Sequence, residues 1–426
     1  MHNPLESDAD VIGTLAELVE CGQYLFFATV SRAWRDAWRH QPQHQRSTVT
    51  KAVTSHTSVS QLRESFESGL ARTPSICAAA AQSGNLELLQ FAREEVECPW
   101  NWKTCCAAAS RGHLTVLQWA RENGCEWDES TCAAAAEGRH MGVLRWARES
   151  GCAWDWRTCF NAARADDLVI LKWVRERGCP WNSATCTVAA RNGHMRVLRW
   201  AREHDCPWDE SACNNAAAGG HLDVLRWAVA NDCPWGGRHT IARAAREGHL
   251  HVVKWAHESG YSWDWETFAL AAEFGHKDVL VYALENGCEW DEMLCAKAAS
   301  GGQLAVLQWA RENGAPWNRA TIEEAASAGH LDVLVWARQN GCPWDERTPP
   351  RAAAGGYLDM LKWIRANGCP WDEETCASAA RHGNLAVLQW ARENGCPWNE
   401  ETCMGAARGG HDEVLAWAKS NGCPHP

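Results

Sequence analysis

The sequence lacks several features that would place it at a membrane or on nucleic acid. No run approaches the roughly 18 consecutive apolar residues of a membrane-spanning helix. The segment Met1–Asp10 is polar and acidic, without the basic start and apolar core of a secretory signal. Basic charge is also short, with 41 Lys and Arg against 53 Asp and Glu, a net charge of −12. We therefore predict an intracellular protein, cytoplasmic or nuclear, with reduced cysteines and with neither nucleic acid nor membrane as a partner.

Recognisable catalytic motifs are missing as well. The chain has no G-x-S-x-G nucleophile turn, no phosphate-binding loop, no H-E-x-x-H zinc motif and no Gly-rich dinucleotide turn. The sequence therefore predicts a protein that is not an enzyme. It predicts no catalytic residue, no metal ligand and no cofactor.

The shortage of other aromatic residues sets off a regular Trp pattern. The chain has 7 Phe and 4 Tyr against 28 Trp, a bias that copying of one short motif explains. One Trp series has a period of 27 residues with a single gap of 28, and a second Trp series interleaves with it. We count thirteen units in residues 71–426. The first series is Trp100, Trp127, Trp154, Trp181, Trp208, Trp235, Trp263, Trp290, Trp317, Trp344, Trp371 and Trp398.

Each unit predicts two helices joined by a tight turn. In the copy that begins at Trp371, Asp372 is suited to cap a first helix, and Trp371 would then fold over Cys376 as a hydrophobic staple. A second helix with apolar residues at helical spacing begins near Leu385, and Gly395 caps its end. A two-helix unit cannot bury its apolar face alone. Stacked units can, and the expected product is a solenoid.

Two segments of the repeat resemble ankyrin motifs. Thr348–Ala353 is similar to the T-P-L-H-x-A-A opening of an ankyrin repeat, and Gly248–Val253 is similar to its G-H-L-x-V-V segment. The resemblance spans roughly residues 75–424, although the period is 27 rather than about 33 and Trp replaces a second-helix Leu. It implies an all-α solenoid of about thirteen helix-turn-helix ankyrin-like repeats with shortened loops. A generic α-solenoid is the alternative.

The chain divides into a short N-terminal segment, residues 1–46, and the solenoid, residues 47–426. Val30–Arg35 resembles the end of an F-box motif, although Leu5-Glu6 stands where Leu-Pro is usual. The resemblance implies docking onto a ubiquitin-ligase adaptor, and the alternative is a helical cap on the solenoid. Residues 47–70 are interpreted as a degenerate capping repeat. The adaptor-docking candidates are Leu25, Val30 and Trp34.

The recurrent Cys and His residues are interpreted as structural rather than metal-binding. Cys125 and Cys132 are seven residues apart, wider than usual zinc-ligand spacing, and Ile241 and Phe268 replace the helical Cys in other copies. The turn His, as in His330, is replaced elsewhere by Asn or Gln, which share with His the ability to hydrogen-bond a carbonyl. The Arg that follows the second-helix Trp-Ala, as in Arg392, is predicted to pair with acidic loop residues of the next unit.

Positions that vary between copies are the predicted partner-binding surface. Two variable positions lie three residues apart on the first helix and therefore share one face, which ankyrin-like solenoids turn to their concave side. We expect a monomeric, non-enzymatic scaffold for a protein partner, with an acidic partner surface favoured. The alternative is an F-box-type substrate receptor of a cullin ubiquitin ligase, and a metal or redox protein is the third hypothesis. The predicted residues are Glu137, Asn161, Arg164, Arg191, Asn215, Arg243, Arg246, Lys297, Glu324, Arg351, Arg381 and Arg408.

Overall fold

The computed structural model describes residues 57–424. These residues form 27 α-helices and one short π-helical turn, Phe91–Glu95, and contain no strand. The fold is an all-α helical-repeat solenoid, as the sequence predicts. The F-box-like segment with Leu25, Val30 and Trp34, and the first half of the degenerate repeat, lie outside the described residues.

The first of two compact units extends to Ala212. Its first helix, α1, is Val59–Glu67, which lies within the segment interpreted as a degenerate capping repeat. Helix pairs follow it along the chain. They are α2 Pro74–Ser83, α3 Leu86–Gln90, α4 Trp102–Ser110, α5 Leu114–Glu122, α6 Glu129–Glu137, α7 Met141–Glu149, α8 Trp156–Arg164, α9 Leu168–Glu176, α10 Ser183–Arg191 and α11 Met195–Glu203.

The second compact unit begins at Cys213, within helix α12, Glu210–Ala218. It continues the same alternation of first and second helices to the end of the described chain. The helices are α13 Leu222–Ala230, α14 Arg238–Arg246, α15 Leu250–Glu258, α16 Trp265–Glu273, α17 Lys277–Glu285, α18 Glu292–Ser300, α19 Leu304–Glu312, α20 Arg319–Ala328, α21 Leu331–Gln339, α22 Thr348–Ala354, α23 Leu358–Ala366, α24 Glu373–Arg381, α25 Leu385–Glu393, α26 Glu400–Gly409 and α27 Asp412–Ser420.

Most first helices begin directly after the Asp or Asn that follows the loop Trp. A side-chain oxygen of Asp372 accepts a hydrogen bond from the Glu374 N–H at 3.2 Å. Each such cap stabilises its helix by about 1 kcal/mol. The predicted cap is thereby confirmed, and it recurs at Asn101, Asp128, Asp155, Asn182, Asp209, Asp264, Asp291, Asn318 and Asn399.

The second helices end as the sequence predicts, at a glycine in the left-handed region. Gly395 has φ +80°. Its N–H donates to the Arg392 carbonyl at 3.1 Å, and the Cys396 N–H donates to the Ala391 carbonyl at 2.9 Å. These two bonds form a Schellman cap, which satisfies the last carbonyls of the helix and turns the chain into the next loop.

Small residues let successive first helices pack directly on one another. Ala379 and Ala380 on α24 are fully buried, and α24 packs extensively against α26. Second helices contribute larger buried residues such as Val387 and Leu388. Contacts between successive second helices are sparser, as between α15 and α17. The hydrophobic core of each repeat therefore lies between a layer of closely packed first helices and a layer of second helices that contact one another less.

Candidate functional site

The Trp side chains of the two series pack edge to face. The ring centroids of Trp371 and Trp390 are 5.9 Å apart with planes at 65°. Where the first helix begins, the ring centroids of Trp263 and Phe268 are 5.3 Å apart. Trp398 packs against a buried hydrophobic cluster that includes Cys403. These contacts confirm the predicted staple in these two copies. The other edge or tilted pairs are Trp100–Trp119, Trp127–Trp146, Trp154–Trp173, Trp181–Trp200, Trp235–Trp255, Trp290–Trp309, Trp317–Trp336, Trp344–Trp363 and Trp398–Trp417.

In most units an Arg two residues after the second-helix aromatic residue covers the loop Trp of the next unit. The Arg392 guanidinium lies 4.1 Å from the centroid of the Trp398 ring, and its Nη1 donates to the Cys396 carbonyl. The predicted ion pair with acidic loop residues was therefore wrong. A planar guanidinium can stack on the Trp ring and donate a hydrogen bond to a carbonyl at the same time. These two contacts stabilise the fold more than one solvent-exposed ion pair would. The same stacking occurs at Arg93, Arg121, Arg148, Arg175, Arg202, Arg311, Arg338 and Arg365.

The cysteines pair within a unit. Cys376 and Cys396 are fully buried and interact through their thiols, and the Cys396 Sγ donates to the Asp372 carbonyl at 3.3 Å. That thiol–thiol interaction, with burial, raises the pKa of Cys376 above its usual range. Cys125 and Cys132, seven residues apart, have other partners, Cys105 and Cys152. These cysteines pack the interface between the two helices of one unit.

The turn His residues tie successive units together. The Nε2 of His330 lies 3.1 Å from the carbonyl oxygen of Ser300, at the end of the preceding first helix. Asn384 makes the equivalent bond to Ala353 at 2.9 Å, so the interpretation as a carbonyl partner is confirmed. Within residues 57–424 no group of three or more His, Cys, Asp or Glu side chains could hold a metal ion. The same reach is made by His113, His194, His249 and His276.

In the first compact unit, the predicted partner-binding residues lie on α6, α8 and α10. Arg164 and Glu137, from successive first helices, form an ion pair. The Asn161 Nδ2 donates to the Ala133 carbonyl at 3.0 Å. Arg191 ends α10. We call the predicted partner-binding positions on successive first helices the first-helix row. Side-chain contacts link neighbouring first helices along this row.

In the second compact unit, ion pairs also cross the predicted row. Lys297 lies 3.5 Å from Glu273 and Arg351 lies 4.0 Å from Glu323. The carboxylates of both pairs are partly buried, and the Arg351–Glu323 separation is long for an ion pair, so we expect each pair to contribute about 1 kcal/mol or less. Of the other predicted residues in this unit, Arg243 and Glu324 are exposed, and Asn215 lies on α12. Arg246 lies over the Phe274 ring. Arg381 and Arg408 form ion pairs with glutamates on their own helices.

A cavity of about 170 Å³ opens in the second compact unit between α16, α17 and the start of α18. Its buried wall is apolar and includes Phe268, Leu280, Ala283 and Leu294. Trp290 also lines it. Sequence reasoning did not find this site.

Departures from the repeat pattern create the cavity. Leu284 stands where regular units carry the Arg that covers the next loop Trp, and no guanidinium within the described range covers Trp290. Leu294 replaces the first-helix Thr, and Phe268 replaces the first-helix Cys. Leu294 and Phe268 make the wall of the cavity more apolar, and the missing Arg leaves Trp290 without a guanidinium over its ring. Three departures from the repeat pattern in two neighbouring copies are the only feature of the sequence that could have indicated this cavity.

The rim of the cavity combines an exposed aromatic side chain with negative charge. Trp265, which belongs to neither Trp series, lines the cavity and is 58% exposed. Glu289 and Asp291 line the cavity and form no ion pair with any other residue of the range 57–424. Burial, followed by the charges of Asp291 and Glu289, raises the pKa of Cys288 to about 11.

Comparisons with known proteins yield a fold likeness alone. No protein-family profile and no curated protein matches the chain. Similar solved structures include the pentatricopeptide repeat protein PPR10 in complex with an 18-nt psaJ RNA element, at 13% identity over 99% of this chain and 72% of that chain, with a TM-score of 0.37. PPR10 from maize is 14% identical over 99% of this chain and 74% of that chain, with a TM-score of 0.32. These are helical-repeat proteins.

The prediction that excluded nucleic acid as a partner is corrected by this finding. A similar helical-repeat structure is bound to RNA. The exclusion rested on the net charge of −12, which sums over every surface of the chain. Binding depends on the charge of one local surface, so the total cannot exclude it. The likeness does not assign RNA to this chain. Within residues 57–424, no helix is long and apolar enough to cross a membrane.

Proposed function

We propose that this chain is a non-enzymatic scaffold of ankyrin type that binds a protein partner through the exposed row of its first helices. The observation that carries the proposal is the division of labour within the repeat. The recurrent Trp, Arg, Cys and His side chains are used in contacts within and between units, as at Trp371, Arg392 and His330. The first-helix row varies from copy to copy, and variation on a fixed frame is how repeat proteins distinguish partners.

The chemistry of the row supports a polar protein interface. Charges of both signs occur along it in the second compact unit, as at Arg243, Glu324 and Arg351. The existing pair of Arg351 with Glu323 is long, with 4.0 Å between the charged atoms. Exchange of such pairs for intermolecular ones favours specificity and association rate.

Charge reversal along the row tests the proposal. The triple variant Arg243→Glu, Glu324→Lys, Arg351→Glu is compared with Lys254→Glu, Glu312→Lys, Lys419→Glu, a triple on second helices with the same net change. Partners recovered by affinity capture are quantified by mass spectrometry, and circular dichroism checks folding. We expect loss of partners at least tenfold with the first-helix triple alone. Equal recovery with both folded triples would reject the row as the interface.

A second function is carried by the N-terminal motif. Val30–Arg35 reads V-S-R-A-W-R, which resembles an F-box end, and this favours a substrate receptor of a cullin ubiquitin ligase. Full-length chain and a chain starting at residue 40 are compared in the same capture experiment. Recovery of a ligase adaptor and a cullin with the full-length chain alone supports this function. Identical partner sets without a ligase contradict it.

A further inference from the structure

The cavity beside Trp290 has the size of one side chain. Its volume is about 170 Å³. A cavity of roughly 150 Å³ lined by apolar side chains holds benzene. Pockets for drug-sized ligands are larger, about 300–1,000 Å³. The space therefore fits one aromatic ring better than a whole small molecule.

The walls and rim select what is attached to that ring. Phe268, Leu280 and Leu294 give an apolar interior, which releases free energy when an apolar ring leaves water. Glu289 and Asp291 also line the cavity, and neither forms an ion pair among residues 57–424. Their carboxylates favour positive charge next to the ring.

An exposed aromatic at the rim strengthens the same preference. Trp265 is 58% exposed and lines the opening. Its ring face can hold a Lys or Arg side chain by a cation–π interaction, as Trp398 holds Arg392 at 4.1 Å. Asp264 is already paired with Arg238 at 3.4 Å. The carboxylates at the cavity that have no cationic side-chain partner are thus Glu289 and Asp291, although Asp291 also caps α18 by accepting the Leu294 N–H at 3.3 Å.

We propose that this cavity, bounded by α16, α17 and the start of α18, binds a protein segment that inserts a Phe side chain flanked by Lys or Arg. The inference rests on the proposed scaffold function, because it names a specific anchor point on that scaffold. Leu284 is the residue that keeps the site open, since the Arg of regular units would lie over Trp290 and fill it.

The test uses a defined probe and a variant that restores the repeat pattern. The peptide acetyl-Lys-(4-fluoro-Phe)-Lys-amide is titrated with the full chain and followed by ¹⁹F line broadening. Leu284→Arg should fold, because Arg is the residue of regular units at this position. We expect it to weaken binding at least tenfold. Val169→Arg adds the same charge on α9 at an exposed residue and should leave binding unchanged.

A second peptide tests the charge preference. Replacement of both Lys residues of the probe by Glu should weaken binding to the unaltered chain at least fivefold. Equal binding of the unaltered chain and Leu284→Arg, or equal binding of the two peptides, overturns the inference. The first-helix triple variant should keep peptide binding. A chain that captures its partner through the first-helix row but ignores the peptide therefore rejects the cavity and leaves the proposed function standing.

Discussion

At the residue scale, single positions show where the repeat tolerates strain. Five residues other than Gly in the described chain have positive φ, and each stands where other copies carry Gly. Left-handed backbone is unfavourable for residues with a Cβ, although Asp and Asn tolerate it better than most. The remaining contacts of the turn therefore hold these residues in place. They are Glu97, Arg139, Asp166, Asp205 and Asp232.

Replacement of Asp232 by Gly should stabilise the chain. Asp232 is exposed and has φ +60°, at the position where Gly395 has φ +80° in a regular copy. We expect Asp232→Gly to raise the free energy of unfolding by about 0.5 kcal/mol, measured by urea denaturation. Gly395→Ala should lower it by about 1 kcal/mol. Destabilisation by Asp232→Gly would show that the carboxylate itself holds the turn.

Buried thiols predict the response to alkali. Burial raises the pKa of Cys342 to about 12 from 9.0. Above pH ~9 the unfolded chain loses this proton while the folded chain keeps it, so stability should fall from pH ~9 towards ~12 and be insensitive to this group below ~9. Urea midpoints at pH 8 and 10 measure the slope. Cys342→Ala, which copies Ala315 of the preceding unit, should make the slope shallower, and an unchanged slope would contradict the assignment.

At the scale of the element, a turn and the next unit are fitted to each other. Gly302 has φ +69°, and a Cβ there would lie 2.7 Å from the imidazole of His330. That imidazole contacts the Ser300 carbonyl at 3.1 Å. Position 302 therefore favours Gly for two reasons: its backbone is left-handed, and the His330 ring leaves no space for a Cβ.

A double-mutant cycle separates the two reasons. Gly302→Ala should cost more than about 2 kcal/mol, from left-handed strain and the clash. His330→Ala should cost about 1 kcal/mol, from the lost hydrogen bond. The double variant should be at least ~1 kcal/mol more stable than the sum predicts, because removal of the ring removes the clash. Strict additivity in urea denaturation would show that the ring moves freely aside.

At the scale of the molecule, stability should be distributed over neighbouring units. First helices pack on the first helices before and after them, as α24 packs on α26. Such an array tolerates loss of a terminal unit. Truncation after Pro397 should keep the mean residue ellipticity at 222 nm while lowering the urea midpoint, since Arg392 loses the Trp398 ring. Loss of the whole helical signal would mean that the last unit is required for folding.

The sequence alone determined the elements of this protein. The N-cap at Asp372, the left-handed Gly395 and the start of α25 at Leu385 follow from local chemistry, which each copy repeats. The carbonyl role of the turn His was also accessible, because Asn substitutes for it and shares only its hydrogen bonding. These features depend on residues close in the chain or on a strict period.

Only the tertiary structure decided how side chains meet within and between units. The stacking of Arg392 on Trp398 and the pairing of Cys376 with Cys396 join residues of the same or adjacent units, but both depend on how the loop after α25 folds. The cavity beside Trp290 was found only from the tertiary structure. Leu284, Leu294 and Phe268 come from three helices, and each replacement by itself is an ordinary apolar change. Their common effect exists because packing brings them to one place.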